Sequence, residues 1–121
     1  MSEFAEARIF IVEDETLVLF NLEDILSELG CTIVAQAMAL PEAERAARAI
    51  EQPDGAILDV NIGGAPVFPV ARILADRGIP ILFATGYGRE GLPEEWQDRP
   101  VIGKPYTQHE VAEALRGLLG R

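Results

Sequence analysis

Short apolar runs alternate along the chain with stretches whose apolar residues recur at helical spacing. Arg8 to Val12 reads as a strand, and Val18, Leu22, Ile25, Leu26 and Leu29 then share one helical face until Gly30, a good residue to end a helix. Thr32 to Ala35 is β-branched and apolar. Pro41 suits the first turn of a second helix that carries Ala43, Ala46, Ala47 and Ile50 on one face and stops at Gln52-Pro53-Asp54.

A third strand, 55 to 58, is followed by the loose segment Gly63-Gly64-Ala65-Pro66. A third helical face then holds Val67, Val70, Ala71 and Leu74 and closes at Gly78. Pro80 to Ala84 is a fourth strand and Val101 to Gly103 a short fifth. The terminal helix carries Val111, Ala112, Leu115, Leu118 and Leu119. Strand followed by helix along the whole chain predicts an α/β fold, a doubly wound five-stranded parallel sheet with helices on both faces. Between the fourth and fifth strands Gly86, Gly88, Gly91, Pro93 and Pro100 restrict any helix to a turn or two around Pro93 to Gln97, and this irregular segment is expected to be the most mobile part of the chain.

Composition narrows the class. At 121 residues the chain builds one core. It has no apolar run near the roughly 18 residues that span a bilayer. Glu3 and Glu6 stand where a signal peptide would be basic, so a cytoplasmic location is expected. A formal charge of -10 repels phosphate backbones and anionic membranes, which argues against nucleic acid as a partner. Cys31 is alone, which excludes a disulfide framework and reads as a small buried hydrophobe.

The candidate chemistry sits where the strands end. Asp59 closes the third apolar run, Glu13 and Asp14 follow the first, Thr85 the fourth and Lys104 the fifth. In an open parallel sheet those C-terminal strand ends line one edge, where ligands bind. Three acids, a hydroxyl and an amine therefore converge. An aspartate carboxylate can accept a phosphoryl group as an acyl phosphate. Clustered carboxylates suit Mg²⁺, which takes oxygen ligands and bridges phosphoryl oxygens. Asp14 and Asp59 are the direct ligands this chemistry selects, with Glu13 acting through water. Lys104, Thr85 and the exposed N–H of Gly86 would neutralise charge on the transferred group.

Each residue also has a plainer reading. Asp59 could cap a loop, Glu13 and Asp14 could be helix N-terminal acids, Thr85 a strand residue and Lys104 a solvated charge. Four strand ends meeting at one edge is what those readings leave unexplained. Gly86-Tyr87-Gly88-Arg89-Glu90-Gly91 matches the dinucleotide pattern GxGxxG, but it lies late in the chain and runs into Pro93 rather than opening a helix. His109, the only histidine, reads as solvated at the start of the last helix, and Trp96 and Phe10 as packing residues.

Four segments, Val-Glu-Asp-Glu at 12 to 15, Leu-Asp-Val-Asn at 58 to 61, Phe-Ala-Thr-Gly-Tyr-Gly at 83 to 88 and Gly-Lys-Pro-Tyr at 103 to 106, make the whole chain resemble a response regulator receiver domain. Phe83 to Tyr87 is similar to the signature of the FATGUY subgroup, typical of alphaproteobacteria and paired with sensor histidine kinases of HWE or HisKA2 type. The resemblance implies a flavodoxin-like strand order of 2-1-3-4-5 and a single receiver domain over 1 to 121 without an output domain. It implies Asp59 as the phosphorylation site, and Asp14, Asp59 and the backbone carbonyl of Asn61 as Mg²⁺ ligands assisted by Glu13. The peptide between Lys104 and Pro105 would be cis, aiming the lysine.

Such a domain is a switch rather than an enzyme. It takes its phosphoryl group from a kinase phosphohistidine, and passes the signal to a protein target or phosphotransferase, or acts as a phosphate sink. One departure from the family stands out: many receivers carry Tyr or Phe three residues before the lysine, where this chain has Val101. Tyr87 or Tyr106 would then replace that aromatic or shield the site, and phosphorylation would order the 86 to 100 segment through Thr85 and Gly86. Two other classes share some of these residues. A haloacid-dehalogenase-like phosphatase needs a second Asp two positions after the nucleophile, where this chain has Asn61. A pseudo-receiver would keep the fold as a binding module without phosphorylation.

Overall fold

The computed structural model describes residues 4–86 and 91–120. Tyr87, proposed as a modulator, and the interior of the GxGxxG match lie outside them. Five parallel strands, β1 (Arg8–Val12), β2 (Thr32–Ala37), β3 (Gly55–Asp59), β6 (Ile81–Thr85) and β7 (Val101–Gly103), form one sheet in the order β2-β1-β3-β6-β7. This is the expected 2-1-3-4-5 order. The intervening β4 (Asn61–Ile62) and β5 (Ala65–Pro66) pair only with each other.

Helices α1 (Thr16–Glu28), α2 (Leu40–Ala49), α3 (Phe68–Asp76) and α4 (Gln108–Leu119) cover both faces. The strands read as unbroken apolar runs because both of their faces are buried. On β1, Ile9 and Ile11 pack with Leu22 and Leu26 of α1 and Leu115 of α4, while Phe10 and Val12 pack with Ala47 of α2 and Leu74 of α3. Cys31 is only half-buried, packed against the first of these clusters.

One reading needs correction. The segment from 61 to 66 is not loose but a hairpin: Asn61 faces Pro66 and Ile62 faces Ala65 across the two-residue turn Gly63-Gly64. Both glycines have positive φ, 60° and 86°, which a tight hairpin turn of this hand requires. Between β6 and β7 the turn expected around Pro93 to Gln97 is present. A 3₁₀ turn, Glu94–Trp96, buries Trp96 against Phe68 and Phe83, with ring centroids 6.2 and 5.7 Å apart, and Leu92 packs in the same core. Burial of two large side chains outweighs the local glycine and proline content.

Candidate functional site

The register of the sheet builds the site step by step. Asp59 pairs with Ala84, Thr85 with Gly103, and the Lys104 N–H donates to the Thr85 carbonyl at 3.1 Å. The last residues of β3 and β6 and the first residue beyond β7 therefore come side by side at one edge. A cleft of about 610 Å³ opens there over Asp14, Asp59, Asn61, Thr85, Gly86 and Lys104.

Glu13, Asp59 and Thr85 are the buried polar residues of this edge, 2%, 6% and 4% exposed. Lys104 offsets part of the cost of burying the two carboxylates: Nζ lies 2.9 Å from Asp59 Oδ2 and 3.2 Å from Glu13 Oε1. Burial alone would lower the Lys104 pKa. The hydrogen bond and charge of Asp59, with those of Glu13, outweigh it and leave the amine raised and protonated. The Glu13 carboxyl is raised from 4.5 to about 7: burial is the largest cause and neighbouring Asp59 adds to it, while the Glu15 N–H and Lys104 oppose it.

One carboxylate oxygen from each of Glu13, Asp14 and Asp59 falls within 4.8 Å of the others. That donor set, all oxygen and partly open to solvent at Asp14, fits a hard divalent cation. Asn61 extends it. Its N–H donates to Asp59 Oδ1 at 3.2 Å, which places its backbone beside the acids.

The Lys104–Pro105 peptide is cis. Thr107 then caps α4 in a reciprocal capping box with Glu110, which fixes where the chain leaves the site. Val101 does not reach the cleft; half-buried, it pairs with Phe83 and packs on the core. Tyr106 does not line the cleft either. Its ring is buried with Ile102, Val111 and Leu115, and burial, with the charges of Glu13 and Asp59, raises its pKa. Pro105 and Tyr106 line a separate groove beside α1. His109 is exposed and does not line the cleft.

One contributor was missed in the sequence. Gly63 donates its N–H to Asp14 Oδ2 at 2.8 Å. The signal for it was available, because Gly-Gly between two short extended pairs is a hairpin signature.

No protein-family model matches the chain. SdrG from Sphingomonas melonis Fr1 is 43% identical, matched over 98% of this chain and 99% of that one with a TM-score of 0.83. A BeF3-activated conformation of SdrG is matched with a TM-score of 0.81. The PhyR response regulator REC domain of Erythrobacter litoralis is 26% identical over 97% of this chain and 92% of that one, with a TM-score of 0.82. The receiver domain of sensor histidine kinase PA1611 from Pseudomonas aeruginosa, which holds a magnesium ion in its active site cleft, shares the fold at 21% identity and a TM-score of 0.81.

Among curated proteins, the transcriptional regulatory protein PdtaR of Mycobacterium tuberculosis is 29% identical over 118 residues, 94% of this chain. The chain spans 57% of that relative's length. With the strand order, the carboxylate cluster and the lysine bridge in place, the chain belongs to the response regulator receiver domain family.

Proposed function

We propose that this receiver accepts a phosphoryl group on Asp59 from the phosphohistidine of a sensor histidine kinase, with Mg²⁺, and that the acyl phosphate switches its contacts with other proteins. The observation that carries this reading is the placement of Asp59: a nearly buried carboxylate at a strand end, hydrogen-bonded to an ammonium and to a backbone N–H, and facing an open cleft.

In the transfer, an Asp59 carboxylate oxygen bonds to phosphorus as the histidine N–P bond breaks. The electron pair of that bond returns to the imidazole, which leaves neutral if the phosphohistidine nitrogen not bearing phosphorus already carries a proton. Asp14, Asp59 and the Asn61 carbonyl would hold Mg²⁺, with Glu13, buried behind them, acting through water. When bound, the ion neutralises the clustered carboxylates and the phosphoryl oxygens. Lys104 would shift from the Asp59 carboxylate to a phosphoryl oxygen, and the Thr85 hydroxyl and Gly86 N–H would take others. Position 61 is an amide, which cannot serve as the base that activates water for rapid hydrolysis of an acyl phosphate. That favours reading the domain as a switch rather than an enzyme.

Beryllofluoride with Mg²⁺ tests the site. The expected result is amide shifts at Asp59, Thr85, Gly86 and Lys104 that disappear in Asp59→Asn. Identical spectra with and without beryllofluoride would favour a pseudo-receiver instead.

A further inference from the structure

The β4–β5 hairpin crosses from the loop after β3 to the loop after β1. Its base is fixed three times: Ile62 is buried in the core, the Val67 N–H donates to the Val60 carbonyl at 2.9 Å, and the Asn61 N–H donates to Asp59. Its turn is held by the Gly64 N–H, which donates to the Asn61 side-chain oxygen at 3.0 Å. The tip then presents the Gly63 N–H to Asp14 Oδ2, a residue 49 positions away in sequence.

Asp14 is otherwise the loosest member of the acid cluster. It is half-exposed, whereas Glu13 and Asp59 are buried. A carboxylate has two oxygens, and a charge-assisted N–H bond to one of them fixes the carboxylate plane while leaving the other for a cation. Groups that hydrogen-bond metal ligands in this way commonly change metal affinity about 10- to 100-fold.

We infer that Gly63 is a positioning residue: the hairpin's Gly63 N–H sets the orientation of Asp14 and so raises the affinity of the site for Mg²⁺. The inference rests on the reading of Asp14 as a cation ligand. It also assigns a reason for glycine at position 63. A Cβ there meets nothing within 4 Å, so space does not require glycine, but φ of 60° disfavours a β-branched residue and tolerates asparagine.

The test compares Mg²⁺ binding, by calorimetry, in the unsubstituted protein, Gly63→Val and Gly63→Asn, with unfolding in EDTA as the measure of the fold. Gly63→Val is expected to bind Mg²⁺ roughly 10-fold more weakly, and Gly63→Asn to bind within about two-fold of the unsubstituted protein. Equal affinities in all three, with the unsubstituted protein binding, would overturn the hairpin's role and leave the phosphoryl-acceptor reading intact. No binding by the unsubstituted protein would overturn both.

Amide exchange supplies a second measurement that needs neither metal nor a Gly63 variant. In the metal-free protein, exchange of the Gly63 N–H should speed up about 10-fold or more in Asp14→Ala. An unchanged rate would overturn the inference.

Discussion

Lys104 Nζ stands 2.9 Å from Asp59 Oδ2 and 3.2 Å from Glu13 Oε1, so one ammonium holds two buried carboxylates that would otherwise repel each other. Replacing it with an apolar side chain of similar length separates two roles. Lys104→Met should weaken the fold by about 3 kcal/mol in EDTA at pH 8, because it leaves buried carboxylates without their cation. It should also slow phosphorylation from acetyl phosphate by roughly 100-fold, because a donor to the transferring group is lost. Denaturant melts and phosphorylation rates check the two effects; an unchanged rate would remove Lys104 from the transfer.

Glu13 makes metal-free stability depend on pH. Its carboxyl is raised from 4.5 to about 7 in the fold, chiefly by burial. Between those values the native state binds more protons than the unfolded chain, so this group's contribution to stability falls as pH rises through the window and is constant above it. Glu13→Gln lacks that dependence. Relative to the unsubstituted protein, the variant should gain up to roughly 3 kcal/mol between pH 4.5 and 7 in EDTA. Parallel stability curves would show that Glu13 ionises normally.

Tyr106 gives an opposite pair of outcomes. Its ring is buried in the core, and its hydroxyl has no hydrogen-bond partner among the described residues. Tyr106→Phe removes the unpaired hydroxyl and should be neutral or stabilising by about 1 kcal/mol, whereas Tyr106→Ala should cost roughly 3 to 5 kcal/mol. A Tyr106→Phe variant clearly less stable in thermal melts would mean that the hydroxyl is paired.

Trp96 anchors the segment between β6 and β7. It stacks on Phe68, meets Phe83 edge-on, and lies under the Arg72 guanidinium at 4.9 Å from the ring centroid. Trp96→Ala should cost roughly 3 to 5 kcal/mol, and Arg72→Ala about 1 kcal/mol or less because that side chain is half-exposed. Denaturation followed by circular dichroism measures both. Equal losses would point to the cation rather than the aromatic packing as the anchor.

The apolar runs at 8–12, 55–58 and 80–84 announced the buried strands because the sheet is covered on both faces, and periodicity marked the four helices because each buries one face. Asp59, Thr85 and Lys104 were legible because a parallel sheet brings its strand ends to one edge, whatever their separation in sequence. The hairpin was marked only by Gly63-Gly64. Two residues per strand are too few to display alternation, and what fixes it, Ile62 in the core and Gly63 on Asp14, is tertiary. The packing of Tyr106 was not legible either: it follows Lys104 and Pro105 in sequence, yet its ring is buried with Ile102, Val111 and Leu115, a tertiary arrangement.

Intact mass after incubation with acetyl phosphate tests the central claim most directly. With Mg²⁺ the protein should gain one phosphoryl group, and the gain should be absent in EDTA and in Asp59→Ala. A gain that persists in Asp59→Ala would place the acceptor elsewhere and contradict the account.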